Sequence, residues 1–74
     1  MPQYELDQVG PDQRSGLVRG RTPEEAVREG TGLPEDAAIA LSDEEDVHGW
    51  TVVYLDDEPS GRLRLHQRMK FRRD

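Results

Sequence analysis

Two aromatic side chains and four bases mark the stretch of this 74-residue chain best equipped for chemistry: Trp50, Tyr54, Arg64, His66, Arg68 and Lys70. Rings that stack and cations that hold phosphate are what single-stranded nucleic acid requires of an open sheet. The same residues also make ordinary cross-strand neighbours, worth a few tenths to about 1 kcal/mol per pair. An accessible tryptophan has a third use, contact with another protein, where Trp is enriched. All three uses need the six residues on one face, so the elements that carry them decide the matter.

The remaining clusters are weaker. Asp43-Glu44-Glu45-Asp46, with His48 close by, gathers carboxylates that a divalent cation could use. It lacks the alternating Asp-x-Asp-x-Asp-Gly spacing that points oxygens at one centre, and reads as a solvated acidic turn. The same run also suits docking to a basic protein, or imitation of DNA phosphates. His48 and His66 stand 18 residues apart in a chain without cysteine, which does not make a zinc site. Ser15, Ser42 and Ser60 lie in turn-like settings outside any Gly-x-Ser-x-Gly elbow. Gly10, Gly16 and Gly20 are not followed by the Lys-Ser or Lys-Thr of a phosphate loop. The expectation is a protein with no catalytic residues, no cofactor and no metal, and so not an enzyme.

Composition bounds the fold. Hydrophobic residues make up 32% and charged residues 35%, near the balance at which chains stay unfolded unless they associate or rely on strict patterning. At this length one core is marginal. The formal charge of −6 conceals an asymmetry: residues 29–61 hold ten acids and no Lys or Arg, while residues 62–74 hold six bases and one acid. A net negative charge disfavours general nucleic-acid binding, and high acid content is equally what a salt-adapted proteome would show. No basic-then-apolar leader and no run of about 18 apolar residues appears, so the expectation is a cytoplasmic protein with no membrane role.

Residues 49–71 organise the rest as one long β-hairpin. Glu58-Pro59-Ser60-Gly61 carries a turn signal, with Pro preset for the second position and Gly for positive φ. Counting outward pairs Glu58 with Arg62, Asp56 with Arg64, Tyr54 with His66, Val52 with Arg68 and Trp50 with Lys70. The opposite face pairs Leu55 with Leu65, Val53 with Gln67, Thr51 with Met69 and Gly49 with Phe71. This register puts the aromatic and basic side chains on one face and the apolar ones on the other.

Upstream, residues 3–9 alternate with Tyr4 and Leu6 on one face, a first strand. Residues 10–16 are rich in breakers and read as a loop before a short second strand at residues 17–20. Thr22 is an N-cap with Pro23 at N1, Glu25 completes a capping box, and Gly30 supplies the stop. The run from Gly20 to Ala26 resembles the strand-to-helix junction of many unrelated small α+β proteins, and carries no function. Residues 37–41 fit a strand through Ile39 and Leu41, with a second helix as the alternative. The sum is a single small α+β domain over residues 1–74, β-β-α-β-β-β, with one short helix packed on one face of an antiparallel sheet. Residues 72–74 are expected to fray. The expected core is Tyr4, Leu6, Val18, Ala26, Val27, Leu33, Ile39, Leu41, Val53, Leu55, Leu63, Leu65, Met69 and Phe71.

From these features the leading expectation is a small interaction or accessory protein working through its sheet surface. Segregated charge suits self-association in head-to-tail or two-fold fashion. Single-stranded nucleic-acid binding through the six-residue face is the alternative, and an acidic partner or inhibitor of a basic protein, engaging through residues 35–58, is the third.

Overall fold

In the computed structural model, which describes residues 1–66, the chain runs β1 (Gln3–Val9), β2 (Arg14–Arg19), α1 (Pro23–Thr31), β3 (Ile39–Leu41), β4 (Thr51–Leu55) and β5 (Glu58–Leu65). The five strands form one antiparallel sheet in the order β2-β1-β5-β4-β3. Helix α1 buries Ala26 and Val27 against its inner face. This is the expected α+β arrangement, and residues 39–41 are a strand rather than part of a second helix.

Strand β1 starts with the expected alternation, Tyr4 and Leu6 buried between the more accessible Glu5 and Asp7. A bulge then interrupts it: Gln8 takes φ +58°, and the pairing with β2 shifts between Leu6 and Val9. The extra residue turns Val9 inward, where it is completely buried. Val9 is therefore a core residue that simple alternation assigns to the wrong face. Strand β2 begins at Arg14, three residues before its expected start, because the turn is confined to residues 10–13 and closed by the Gln13 N–H donating to the Gly10 carbonyl (2.9 Å).

The start of α1 matches its sequence signals. Thr22 is extended (φ −130°, ψ 161°), and its hydroxyl accepts from the Glu25 amide at 3.1 Å. The Glu25 carboxylate accepts from the Arg21 amide at 2.7 Å, one residue before the cap rather than at the cap itself. The stop is corrected. The helix continues through Gly30 to Thr31 and ends at Gly32, whose φ of +69° is left-handed and whose N–H donates to the Arg28 carbonyl at 3.0 Å. Gly30 serves packing instead. A Cβ there would overlap Val18 and come within 3.0 Å of Leu6, so it is the point of closest approach of helix to sheet.

The long hairpin is corrected in turn and register. Its turn is Asp56-Asp57, with Leu55 paired to Glu58 and Tyr54 to Pro59. Both aspartates have positive φ (+52° and +70°), the pattern of a type I′ hairpin turn, which Asp tolerates better than most residues. Pro59 therefore sits in the strand, and Gly61 is the extra residue of a bulge where Val53 faces both Ser60 and Gly61. At φ +73°, with the Gln8 and Asp7 carbonyl oxygens where a Cβ would stand, position 61 has no room for a side chain. Beyond the bulge Val52 pairs with Arg62 and Thr51 with Leu63, instead of Arg68 and Met69.

The core comprises Tyr4, Leu6, Val9, Ala26, Val27, Val53 and Leu63, with Val18, Ile39, Leu41 and Leu55 packed against it. Two expected members depart from it: Leu33 is only half-buried, and Leu65, at the end of β5 beside Tyr4, is 49% exposed. Met69, Phe71 and the expected frayed end at residues 72–74 lie outside the described residues, as does the Gln67 pairing. Among the described residues no helix is long and apolar enough to cross a membrane.

Candidate functional site

The sheet has one face under α1 and one without a helix, and strand parity decides which side chains reach the second. On β1 these are Glu5 and Asp7, the alternates of buried Tyr4 and Leu6. Register carries the same parity across: Glu5 pairs with Leu17 on β2 and Arg64 on β5, and Asp7 pairs with Arg62. Val52 is opposite Arg62, and Tyr54 is opposite Pro59 and Ala40. Trp50 precedes β4 by one residue, which sets it beside Arg64.

Four of the six residues singled out from the sequence, Trp50, Tyr54, Arg64 and His66, thus lie on this open face. Their neighbours differ from those expected. Trp50 stacks on Arg62 and Arg64, whose guanidinium carbons lie 4.3 and 4.4 Å from the ring centroid. Tyr54 is half-buried among Ala40 and Pro59 rather than beside His66. Arg68 and Lys70 lie outside the described residues, with the Val52–Arg68 and Trp50–Lys70 pairings expected for them.

Two arginines of the face, Arg62 and Arg64, are held by carboxylates. Arg62 Nε donates to Asp7 at 2.7 Å, and its Nη1 is 3.8 Å from Asp46. Arg64 Nε donates to Glu5 at 2.5 Å, and its Nη1 donates to the His48 carbonyl at 3.3 Å. His66 Nδ1 lies 3.4 Å from the other Glu5 oxygen, while the His66 amide donates to the Gln3 carbonyl at 2.9 Å. The Arg64 hydrogen bond holds the Glu5 carboxyl below the usual glutamate range; partial burial opposes this, and the charge of Arg64 and contact with His66 add to it. At neutral pH the face carries alternating fixed charges.

Trp50 is positioned by a small loop. The Asp46 carboxylate accepts from the His48 and Trp50 amides at 2.8 and 2.9 Å, and the Asp46 amide donates to the Trp50 carbonyl at 3.0 Å. Gly49, at φ +86°, donates to the Asp46 carbonyl. The hydrogen bond from Trp50 is the main reason the Asp46 carboxyl titrates below the ordinary aspartate range. Asp46 therefore belongs to the architecture around the tryptophan, and among the described residues no three His, Asp or Glu side chains converge on a metal position.

Seen from outside, Trp50 is a ridge between two grooves. One, of about 400 Å³, runs between Trp50 and Leu17 over Gly16, with Glu5, Asp7 and Arg64 along it. The other, of about 370 Å³, lies between Trp50, Val52 and Arg62 and the acidic run at Glu44, Glu45 and Asp46. A larger recess of about 690 Å³ opens past the ridge, where Glu5, Asp46, His48, Arg64 and His66 meet. No family model, no curated protein and no solved structure matches this chain. The site's own geometry has to carry the reading.

Sequence reasoning passes over Glu5, Asp7, Leu17 and Arg62. A signal for most of them is present: Glu5-x-Asp7 and Arg62-x-Arg64 have matching spacing of two, which fits two strands that pair through their charges. Leu17 gives none, because nothing in a short strand next to Val18 marks a single leucine as part of a surface.

Proposed function

We propose that this chain is a small non-catalytic interaction protein that works through the open face of its sheet. The observation that carries the reading is that the face without a helix presents Leu17 and Val52, 53% and 39% exposed, on either side of Trp50, whose amide is held by Asp46. Trp between apolar neighbours and a polar rim is the composition of a protein contact. The charges support the same reading. Glu5 and Asp46 are held ionised, whereas a general acid or base works best when it titrates near the operating pH. For single-stranded nucleic acid, phosphates would have to displace Asp7 and Glu5 from Arg62 and Arg64, which ranks that reading second.

The test is site-specific photo-crosslinking in the native host, with the reactive residue at position 17 or 52, and at Glu29 on the helix as control. Discrete protein adducts from positions 17 and 52 that are absent from position 29 are the expected result. Equal labelling at all three sites, or none, would remove the reading.

A further inference from the structure

The open face is complementary to itself, and we propose that its occupant is a second copy of this chain, related by a two-fold axis parallel to the strands and passing between β1 and β5. The inference rests on the open face being an interaction surface and adds the identity of the partner.

Two neighbouring rows of side chains cross the middle of the face, beside a third made of Arg19, Gln3 and His66. One reads Leu17, Glu5, Arg64, Trp50 from β2 to the start of β4, and the next reads Asp7, Arg62, Val52 from β1 to β4. In both rows the acid is on β1 and the base on β5. A half-turn about an axis along the strands, between those two strands, exchanges β1 with β5 and β2 with β4 without moving either row along the strand. Every acid then faces the partner's base, Glu5 over Arg64 and Asp7 over Arg62, and Leu17 faces the partner's Trp50. The perpendicular in-plane axis instead lays β1 on β1, acid over acid. Charge pattern therefore selects one of the two simple face-to-face arrangements.

Shape agrees with charge. The groove between Leu17 and Trp50, about 400 Å³, runs over Gly16. The chosen axis brings the partner's Trp50 ridge over that groove, and the reverse insertion follows by symmetry. Each Glu5–Arg64 ion pair becomes half of a square of four alternating charges, which offsets part of their desolvation on burial.

The symmetry supplies its own test, because each chain contributes both members of the Glu5–Arg64 contact. Glu5→Arg sets base against base in its own dimer, and Arg64→Glu sets acid against acid. In a one-to-one mixture both contacts are again acid to base. Sedimentation of wild type, both variants, their mixture and Leu17→Lys gives the assembly states, and circular dichroism of each verifies the fold. Leu17→Lys changes an exposed side chain, so it keeps the test valid if a charge reversal fails to fold.

The expected result is a dimeric wild type, at least tenfold weaker association in each of the three variants, and a heterodimer in the mixture. A wild type that stays monomeric at millimolar concentration overturns self-pairing. In that case crosslinks from positions 17 and 52 to a different protein would keep the wider reading alive, and their absence would end both. A dimer indifferent to Leu17→Lys places the contact elsewhere and overturns the proposal. A dimer broken by Leu17→Lys but not restored in the folded mixture overturns the stated axis.

Discussion

Asp46 shows how much one exposed carboxylate can organise. Its Oδ1 accepts from two amides while its Oδ2 faces Arg62, and the loop so formed sets the angle at which Trp50 leaves the chain. Replacing it with alanine should free the His48 and Trp50 amides, seen as faster hydrogen exchange at both and a shifted Trp50 indole signal. Asp46→Asn, which keeps an acceptor without the charge, should leave the indole signal near its wild-type position. The pH dependence follows from the same contacts. Glu5 and Asp46 titrate lower in the folded protein than in the unfolded chain, so folding favours their ionised forms. Their contribution is whole above about pH 4, the unfolded value, and is lost as the pH falls through the lower folded values. Trp50 emission should stay constant from neutral pH down to that point and change below it. A transition centred near neutrality would contradict the assignment. At this scale the sequence is informative about faces and poor about neighbours. Trp50, Tyr54, Arg64 and His66 are expected on one face and are found there, yet Trp50 lies on Arg64 rather than beside Lys70.

The reason lies in the β4–β5 hairpin. Moving the turn from Glu58-Pro59-Ser60-Gly61 to Asp56-Asp57 changes the register by an odd number of residues, which would by itself send every side chain of β5 to the wrong face. The bulge at Ser60-Gly61 adds one residue and restores parity. The partner of Val52 thus moves by six residues, from Arg68 to Arg62, an even number that leaves the face intact. Pro-x-Gly reads as one turn; the structure uses Gly61 for the bulge and lets two aspartates adopt the left-handed conformation. Asp57→Gly would give the Asp-Gly pair favoured in such turns and should raise stability by up to about 1 kcal/mol, measured by urea unfolding. A loss there would mean that Asp57 makes a stabilising contact of its own. The helix is legible at its start, where Thr22, Pro23 and Glu25 act locally, and misleading at its end, where Gly30 answers to Val18 on another strand. Thr22→Ala should cost about 1 kcal/mol and lower the melting temperature by about 4–8 °C. No change would mean that packing, not the cap, holds the first turn.

For the molecule as a whole, fold class is legible and strand order is not. Alternation and turn signals count strands, but apart from the matched spacing of Glu5-x-Asp7 and Arg62-x-Arg64 nothing in residues 3–9 announces that they pair with residues 58–65 across the length of the chain. Charge acts at this scale too. Residues 1–66 hold fifteen acids against six arginines, and the acids at 35, 36 and 43–45 make no ion pair among the described residues. Repulsion among them should outweigh the few pairs of the open face, so added sodium chloride should raise the melting temperature. A fall would show that the Arg62 and Arg64 pairs dominate.

The position of β5 between β1 and β4 also fixes an order of events during synthesis. The β1–β2 hairpin and α1 can form early, and β3 with β4 later, but these are two separate halves of a sheet with no hydrogen bond between them. β5, the last of these strands to leave the ribosome, joins the two sets of strands, pairing with β1 from Tyr4 to Asp7 and with β4 from Thr51 to Leu55. Until then the inner edges of both halves stay open to any strand that reaches them first, so the nascent chain is most exposed to mispairing just before β5 emerges.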